Sequence, residues 1–208
     1  MFGDLMEINK NIPRLSTGTT TIGLKIKDGV ILATESQATA GNYVATKRAD
    51  KLFKLMDHIG ITISGGVADC QYLVRLLQAY LRLRELEFDK KVSVQSAVSL
   101  LSSLMFQNRF FPYYSMLIIG GYDDTGPHIY SLDFFGSIIE EKKFISVGSG
   151  SILAIGVLET DWKEDLSENE GINLVKNALE SARRRDSASG GKFQIAVIDK
   201  NGFRMISH

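Results

Sequence analysis

The chain has 208 residues, 44% hydrophobic and 23% charged, the composition of one globular domain with a sizeable core rather than a disordered protein. Its 24 basic and 24 acidic residues give a formal net charge of zero, which excludes the broad basic field of nucleic-acid-binding proteins. The only cysteine, Cys70, excludes an intrachain disulfide and is expected to be a small buried hydrophobic residue.

The first residues do not resemble a secretion signal, because Asp4, Glu7 and Lys10 interrupt the apolar core that such a signal needs. No apolar run is long enough to span a bilayer. We therefore expect a soluble, cytoplasmic protein.

A glycine and three threonines, Gly18 to Thr21, open the first strand-like segment. If the Gly18-Thr19 bond were cut, Thr19 would carry both a hydroxyl nucleophile and a free amine, and such an amine can act as the activating base. Taken alone, the run is more typical of an ordinary β-strand, where threonine is common.

The segment from Thr20 to Ile26 and the segment Val30 to Glu35 flank Asp28-Gly29, a strong hairpin signal. Because a tight antiparallel hairpin sets its outer ends side by side, Thr19 and Glu35 are predicted to be neighbours. A second strand pair, Lys51 to Leu55 and Ile59 to Ser64, is predicted around Asp57-His58, with Lys51 in the same sheet as Glu35.

After Gly65-Gly66 the apolar spacing becomes helical, which predicts one helix over Val67 to Leu83 and a second over Val94 to Met105. A short helix is predicted at Ile152, and the capping box at Ser167 and Glu170 predicts a helix from about Glu168 to Arg185. The remaining predicted strands are Ser115 to Gly121, His128 to Asp133, Lys142 to Val147, Phe193 to Ile198 and Phe203 to Ile206. This order suits two stacked antiparallel sheets with helices outside.

Several common catalytic motifs are absent, including the P-loop, the H-E-x-x-H zinc motif, paired C-x-x-C and G-x-S-x-G. His58, His128 and His208 have no sequence neighbour that suggests a dyad or a metal site. Arg183 to Arg185 are interpreted as a solvated helix end rather than a phosphate site.

Three features combine with Thr19. A Glu35-Lys51 pair would keep the ammonium charged and lower the pKa of a nearby hydroxyl or amine, although an ordinary ion pair would use the same residues. Gly65-Gly66 before a helix offers backbone N–H groups for an oxyanion, or simply a tight turn. Hydroxyl and acidic side chains that could hold an amine, or only cap loops, are Ser149, Asp186, Ser187 and Ser189.

The segments GTTTIGL, ATESQATAG, DKLFKL, SGGVADC, GSGS and RDSASGG, in this order and spacing, resemble the β subunit of the 20S proteasome, in its archaeal form above all. The resemblance extends from about Gly18 to the last strand. It implies an α+β fold, the four-layer αββα sandwich of N-terminal nucleophile hydrolases. It also implies that residues 1–18 are removed by self-cleavage and that residues 19–208 form a single catalytic domain.

By this resemblance the protein is a threonine endopeptidase in which Thr19 is the nucleophile and its freed α-amino group the general base. Glu35 and Lys51 match the residues that tune it, and Gly65 matches the oxyanion-hole residue. The residues that match those supporting the threonine are Ser149, Asp186 and Ser189. No cofactor or metal is implied.

Thr39 and Val67 match positions that hold an extended substrate backbone. The apolar pocket for the residue before the cleaved bond corresponds to Ala38, Ala49, Phe53, Ile63 and Val67. Cleavage after hydrophobic residues is therefore expected, because a charged side chain would be desolvated there without a partner.

The resemblance also implies partners: α subunits and other β subunits in stacked seven-membered rings, an ATPase regulatory particle acting through the α ring, and unfolded polypeptide substrates. Nucleic acid and membranes are not expected partners. Two positions depart from the usual pattern, since Glu35 stands where most active members carry Asp, and Gln37 where they commonly carry Arg.

Three alternatives remain at this point. The first is an unprocessed, structural member of the same ring, and the second is the simpler bacterial relative that also uses a threonine. The third, a non-proteolytic binding module, leaves the combination of Thr19, Glu35, Lys51 and Asp186 unexplained.

Overall fold

A computed structural model describes residues 16–41 and 43–207. Residues 1–15, most of the segment predicted to be removed, lie outside the described residues, as does His208. The strands of the described ranges are β1 Ser16–Thr17, β2 Thr21–Ile26, β3 Gly29–Glu35, β4 Ala38–Ala40, β5 Tyr43–Thr46, β6 Leu52–Met56, β7 Ile59–Gly66, β8 Ser115–Asp123, β9 Gly126–Leu132, β10 Ile138–Glu141, β11 Phe144–Val147, β12 Phe193–Asp199 and β13 Gly202–Ser207. The helices are α1 Val67–Phe88, α2 Val94–Gln107, α3 Ser151–Asp161 and α4 Glu168–Arg185.

Two antiparallel sheets organise the chain. The first has the order β1-β7-β8-β9-β10, with β6 also paired to β7, and the second has the order β11-β2-β3-β12-β13. Because β8 occupies one edge of β7 along its length, β6 and β1 must follow one another along the other edge. The strands β4 and β5 form a separate small hairpin.

The sheets pack face to face, with helices on both outer surfaces. Successive side chains of β3 point to opposite faces of its sheet. Val30 and Leu32 belong to the core between the two sheets, whereas Ile31 and Ala33 belong to the core between this sheet and the helices α3 and α4. A third cluster fills the space between the first sheet and α1 with α2. The predicted four-layer αββα sandwich is confirmed.

The helix α4 forms as its local sequence predicts. The Ser167 side chain accepts a hydrogen bond from the Glu170 N–H, and the Glu170 carboxylate accepts one from the Ser167 N–H at 2.9 Å, which completes the capping box. At the other end Arg183 and Arg184 pair with Glu180 on the exposed surface. None of the helices in the described ranges is both long and apolar enough to cross a membrane.

The observed strands differ from the predicted ones in sheet membership, in the position of one turn and in number. Lys51 precedes β6 in the first sheet, whereas Glu35 ends β3 in the second, so the prediction that they share a sheet is wrong. Strand patterns along the chain do not reveal which of two stacked sheets a strand joins. The first hairpin turns one residue early, since Gly29 already pairs with Ile26. Sequence analysis missed β10, an edge strand with two exposed isoleucines, as well as β1 and the hairpin of β4 and β5.

Candidate active site

Thr19 is fully buried two residues before β2, and its hydroxyl makes two short hydrogen bonds. The Lys51 Nζ donates to Thr19 Oγ1 at 2.7 Å, and Thr19 Oγ1 donates to the Gly18 carbonyl oxygen at 2.7 Å. The hydroxyl thus contacts both an amine and the carbonyl group of the peptide bond predicted to be cut.

Glu35 receives four hydrogen bonds at the end of β3. Its Oε1 accepts from the Lys51 Nζ at 2.7 Å and from the Thr20 N–H at 3.4 Å. Its Oε2 accepts from the N–H groups of Gln37 at 2.7 Å and Gly190 at 2.9 Å. Because a carboxylate offers about four acceptor sites, the side chain is saturated and held by several chain segments.

Burial shifts the pKa of both members of the Glu35-Lys51 pair, whose side chains are 0% and 2% exposed. Desolvation raises the pKa of Glu35 and lowers the pKa of Lys51, and in each case it outweighs the opposing attraction between the two groups. Lys51 therefore gives up its proton at a lower pH than a solvated lysine. An uncharged amine beside Thr19 Oγ1 is chemically accessible.

A second chain of hydrogen bonds leads from the Thr19 backbone nitrogen. Its N–H donates to Ser149 Oγ at 3.1 Å, and Ser149 Oγ donates to Asp186 Oδ2 at 2.6 Å. Ser189 Oγ also donates to Asp186 Oδ2 at 2.6 Å and lies 2.7 Å from Thr20 Oγ1. Because Ser189 has a single hydroxyl proton, Thr20 must be the donor in that last contact. All three residues predicted to support Thr19 are thus linked to it.

Gly65 and Gly66 end β7 directly before α1. Gly65 has a φ of 128°, and a Cβ there would meet the Tyr114 carbonyl oxygen at 2.2 Å, so only glycine fits. Thr17 of β1 pairs opposite Gly65, which brings the peptide bond after Gly18 close to this turn. Backbone N–H groups at a helix N-terminus favour negative charge, as an oxyanion needs.

Ser16 and Thr17, the two described residues before Gly18, form the short extended strand β1. The strand β1 pairs with the end of β7 and also lies against β4, on which Thr39 is located. A peptide added to a sheet edge in this way is held by main-chain hydrogen bonds. Thr39 thus lies on a strand beside an extended segment of the chain, and its role in holding a substrate backbone stays a prediction.

The predicted apolar pocket draws on five neighbouring segments. They are β4 with Ala38, the connection before β6 with Ala49, β6 with Phe53, β7 with Ile63, and the first turn of α1 with Val67. Ala38 and Ile63 are buried, whereas Ala49, Phe53 and Val67 are partly exposed. The Ile63 N–H donates a hydrogen bond to the Lys51 carbonyl oxygen at 3.0 Å, so Ile63 of the predicted pocket lies beside the backbone of Lys51.

Gln37 connects the end of β3 to the loop after α4. Its Nε2 donates to the Ser187 carbonyl oxygen at 3.0 Å, while its backbone N–H donates to Glu35. The side chain is 5% exposed and neutral. Gln37 therefore holds the loop that carries Asp186 by a hydrogen bond, but it adds no charge to the site.

Sequence analysis missed three residues that position the site: Thr20, Gly190 and Gln194. Gln194 Oε1 accepts from the Lys51 N–H at 2.9 Å, and its Nε2 donates to Asp50 Oδ1 at 3.1 Å. A signal existed only for Gln194, because a glutamine inside the apolar strand Phe193–Asp199 needs buried partners.

A cleft lies at the far end of the sheets, between the turns that contain Asp57, Asp123 and Asp199. It measures about 850 Å³ and includes none of the predicted catalytic residues. His128 there lies 3.0 Å from Glu140, an acidic partner that sequence proximity could not reveal. Within the described ranges no group of three or more histidine, cysteine or acidic residues is arranged to hold a metal ion.

Comparison with known proteins identifies the same family along nearly the whole chain. The model of the proteasome subunit family matches residues 15–198. A "Proteasome subunit beta" of Methanosphaerula palustris is 45% identical over 91% of this chain and 90% of its own length, and one of Methanocaldococcus vulcanius is 47% identical over 91% and 86%. A "Proteasome subunit beta 2" of Ignicoccus hospitalis is 40% identical over 96% and 93%.

Proposed function

Because the chain belongs to the proteasome subunit family, as a 20S β subunit of the archaeal type, we propose that it is a catalytic member, a threonine endopeptidase with Thr19 as its nucleophile. One observation carries the proposal. Thr19 Oγ1 lies 2.7 Å from both the Lys51 amine and the Gly18 carbonyl oxygen, and Lys51 is itself held by Glu35. A purely structural subunit has no need of this arrangement in its core.

The first reaction is self-cleavage. Thr19 Oγ attacks the Gly18 carbonyl carbon, the C–N bond breaks, and an ester joins Gly18 to Thr19 while the nitrogen becomes a free amine. The Thr19 nitrogen is still an amide and cannot be the base, so an uncharged Lys51 takes the hydroxyl proton, which then passes to the departing nitrogen. Water hydrolyses the ester and releases residues 1–18.

The second reaction repeats this chemistry on peptides. The freed α-amine now takes the proton from Thr19 Oγ, while the Lys51 ammonium stabilises the developing negative charge. Ser149, held by Asp186, accepts a hydrogen bond from the Thr19 nitrogen and orients it. The substrate occupies the groove of β1, and the apolar pocket favours cleavage after a hydrophobic residue.

The proposal extends to the assembly. Membership of the family implies a proteasome core built with other subunits, and we propose stacked seven-membered rings with α subunits in the cytoplasm. Unfolded polypeptides are the proposed substrates, delivered by an ATPase particle through the α ring.

The intact mass of the chain in its assembled particle tests the proposal. Loss of residues 1–18, leaving Thr19 as the N-terminus, is the expected result. A chain that keeps residues 1–18 and hydrolyses no peptide would instead favour the unprocessed structural role, for which the neutral Gln37 is the supporting observation.

Self-cleavage is expected to accelerate as pH rises, because the base form of Lys51 becomes more abundant. Burial lowers its pKa, so the rise should be complete below the pH at which a solvated lysine titrates. The negative charges of Glu35 and Asp186 raise that pKa. Glu35→Gln removes one of them and should move the rise to lower pH. The measurement is intact mass against time after a shift to several values between about pH 6 and 9.

Glu140→Gln is the matched control for that experiment, because it removes an acid at the far end of the molecule. Its pH profile should coincide with that of the wild type. A rate that does not change with pH would contradict the assignment of Lys51 as the base of self-cleavage.

A further inference from the structure

The residue before the cleaved bond faces the loop after α4. A Cβ built on Gly18 would lie 2.0 Å from the Ala188 Cβ, 3.3 Å from its Cα and 3.0 Å from Ser149 Oγ. Ordinary carbon contacts begin near 3.5 Å. Any side chain at position 18 would therefore overlap Ala188.

The loop that carries Ala188 has little freedom to move away. The Ala188 N–H donates to Asp186 Oδ1 at 3.2 Å, and the neighbouring Ser187 carbonyl oxygen accepts from Gln37. On the other side the Gly190 N–H donates to Glu35. Displacing Ala188 would disturb the hydrogen bonds that hold the Glu35 carboxylate and the Asp186 side chain, so the overlap cannot be relieved without cost to the site.

The apolar pocket predicted for peptide substrates is a different place. None of the three atoms nearest to the missing Cβ belongs to that pocket, and Ala188 lies on the connection between α4 and β12. A bulky residue suits the pocket, whereas Ala188 leaves room only for hydrogen at position 18.

We propose that Ala188 determines the specificity of self-cleavage: it admits only glycine before the bond, independently of the pocket that selects peptides. This inference rests on the proposed self-cleavage. Ala188 would select the residue before the bond in self-cleavage, whereas the apolar pocket would select it in peptide substrates. The chain would therefore exclude bulky hydrophobic residues at its own cleavage site although it favours them in substrates.

A double-mutant cycle tests the contact. Wild type, Gly18→Ala, Ala188→Gly and the double variant are assembled with their partner subunits, and intact mass against time gives the rate of self-cleavage. With Ala188 present, Gly18→Ala should slow cleavage by about tenfold to hundredfold, the effect of overpacking by one methyl group. In the Ala188→Gly background, the same change should slow it by less than about threefold.

Gly156→Ala is the matched control, because a Cβ there, in α3, meets no atom within 4 Å. It should cleave at the wild-type rate. The same four sequences are also made with Thr19→Ala, which prevents self-cleavage, so that the stability of the uncleaved chains can be compared. In this background Gly18→Ala should lower the Tm when residue 188 is alanine and lower it less when residue 188 is glycine.

Two results would overturn the inference. If wild type matures but Gly18→Ala slows cleavage equally in both backgrounds, or not at all, Ala188 does not select the residue. If wild type itself keeps residues 1–18, the proposed function fails, and this inference fails with it.

Discussion

Thr19→Ala is expected to abolish both self-cleavage and peptide hydrolysis. The variant lacks the oxygen that lies against the Gly18 carbonyl group and the Lys51 amine. Loss of a nucleophile costs about 10⁴-fold or more in kcat. The chain should keep residues 1–18 in the assembled particle, measured by intact mass. The particle should release no product from a peptide that has a cleavable bond after an internal hydrophobic residue.

Thr19→Ser is the matched control because it keeps the hydroxyl and, after cleavage, the α-amine. It should mature and retain measurable hydrolysis, at a reduced rate, since serine lacks the methyl group that restricts the side-chain rotamer. Wild-type turnover from the Thr19→Ala particle would defeat the assignment of the nucleophile.

Lys51→Met is expected to cause the second largest loss. Methionine preserves most of the buried stem but removes the amine that contacts both Thr19 Oγ1 and Glu35 Oε1. Self-cleavage should slow by about 10²-fold to 10⁴-fold because its base is lost. Hydrolysis should fall at least as much, because it requires the matured chain and the charge stabilisation by Lys51. The remaining Glu35 carboxylate is buried without its partner, which costs about 3–5 kcal/mol of stability or is relieved by protonation.

The double variant Glu35→Gln with Lys51→Met separates chemistry from folding. With neither charge present, the desolvation penalty disappears, so stability measured by denaturant unfolding of the isolated subunit or by the Tm of the particle should largely recover. Hydrolysis should stay as low as in Lys51→Met. If restoring stability also restored hydrolysis, Lys51 would have a structural role only.

Short-range signals account for what could be predicted of the fold. The capping box at Ser167 and the three arginines that end α4 set the limits of that helix within a few neighbouring residues. The hairpin of β2 and β3 likewise follows from alternation and its turn. The edge strand β10 was missed because its exposed isoleucines do not mark one buried face.

The sequence indicated most of the side chains of the candidate site, but not the sheet to which each belongs or the backbone groups that hold them. Lys51 was assigned to the wrong sheet, since nothing local to β6 says which sheet it joins. The N–H groups of Thr20 and Gly190 were overlooked because backbone donors leave no trace in side-chain identity. Ala188 is an ordinary residue by sequence, and only the position of Gly18 gives it a role.

All four helices and most of the strands could be read from the order of residues, because capping, turns and periodicity act between residues that are close along the chain. The motifs along the chain likewise indicated the family and most of the side chains around Thr19. Only the folded molecule shows that Lys51, beside one sheet, contacts both the Thr19 hydroxyl and Glu35 from the other sheet. The folded molecule alone also shows that Ser149, 130 residues away in the chain, accepts a hydrogen bond from the Thr19 N–H. It likewise shows that Ala188 lies against Gly18. Such contacts depend on how two sheets and their loops pack, which is set by the whole core.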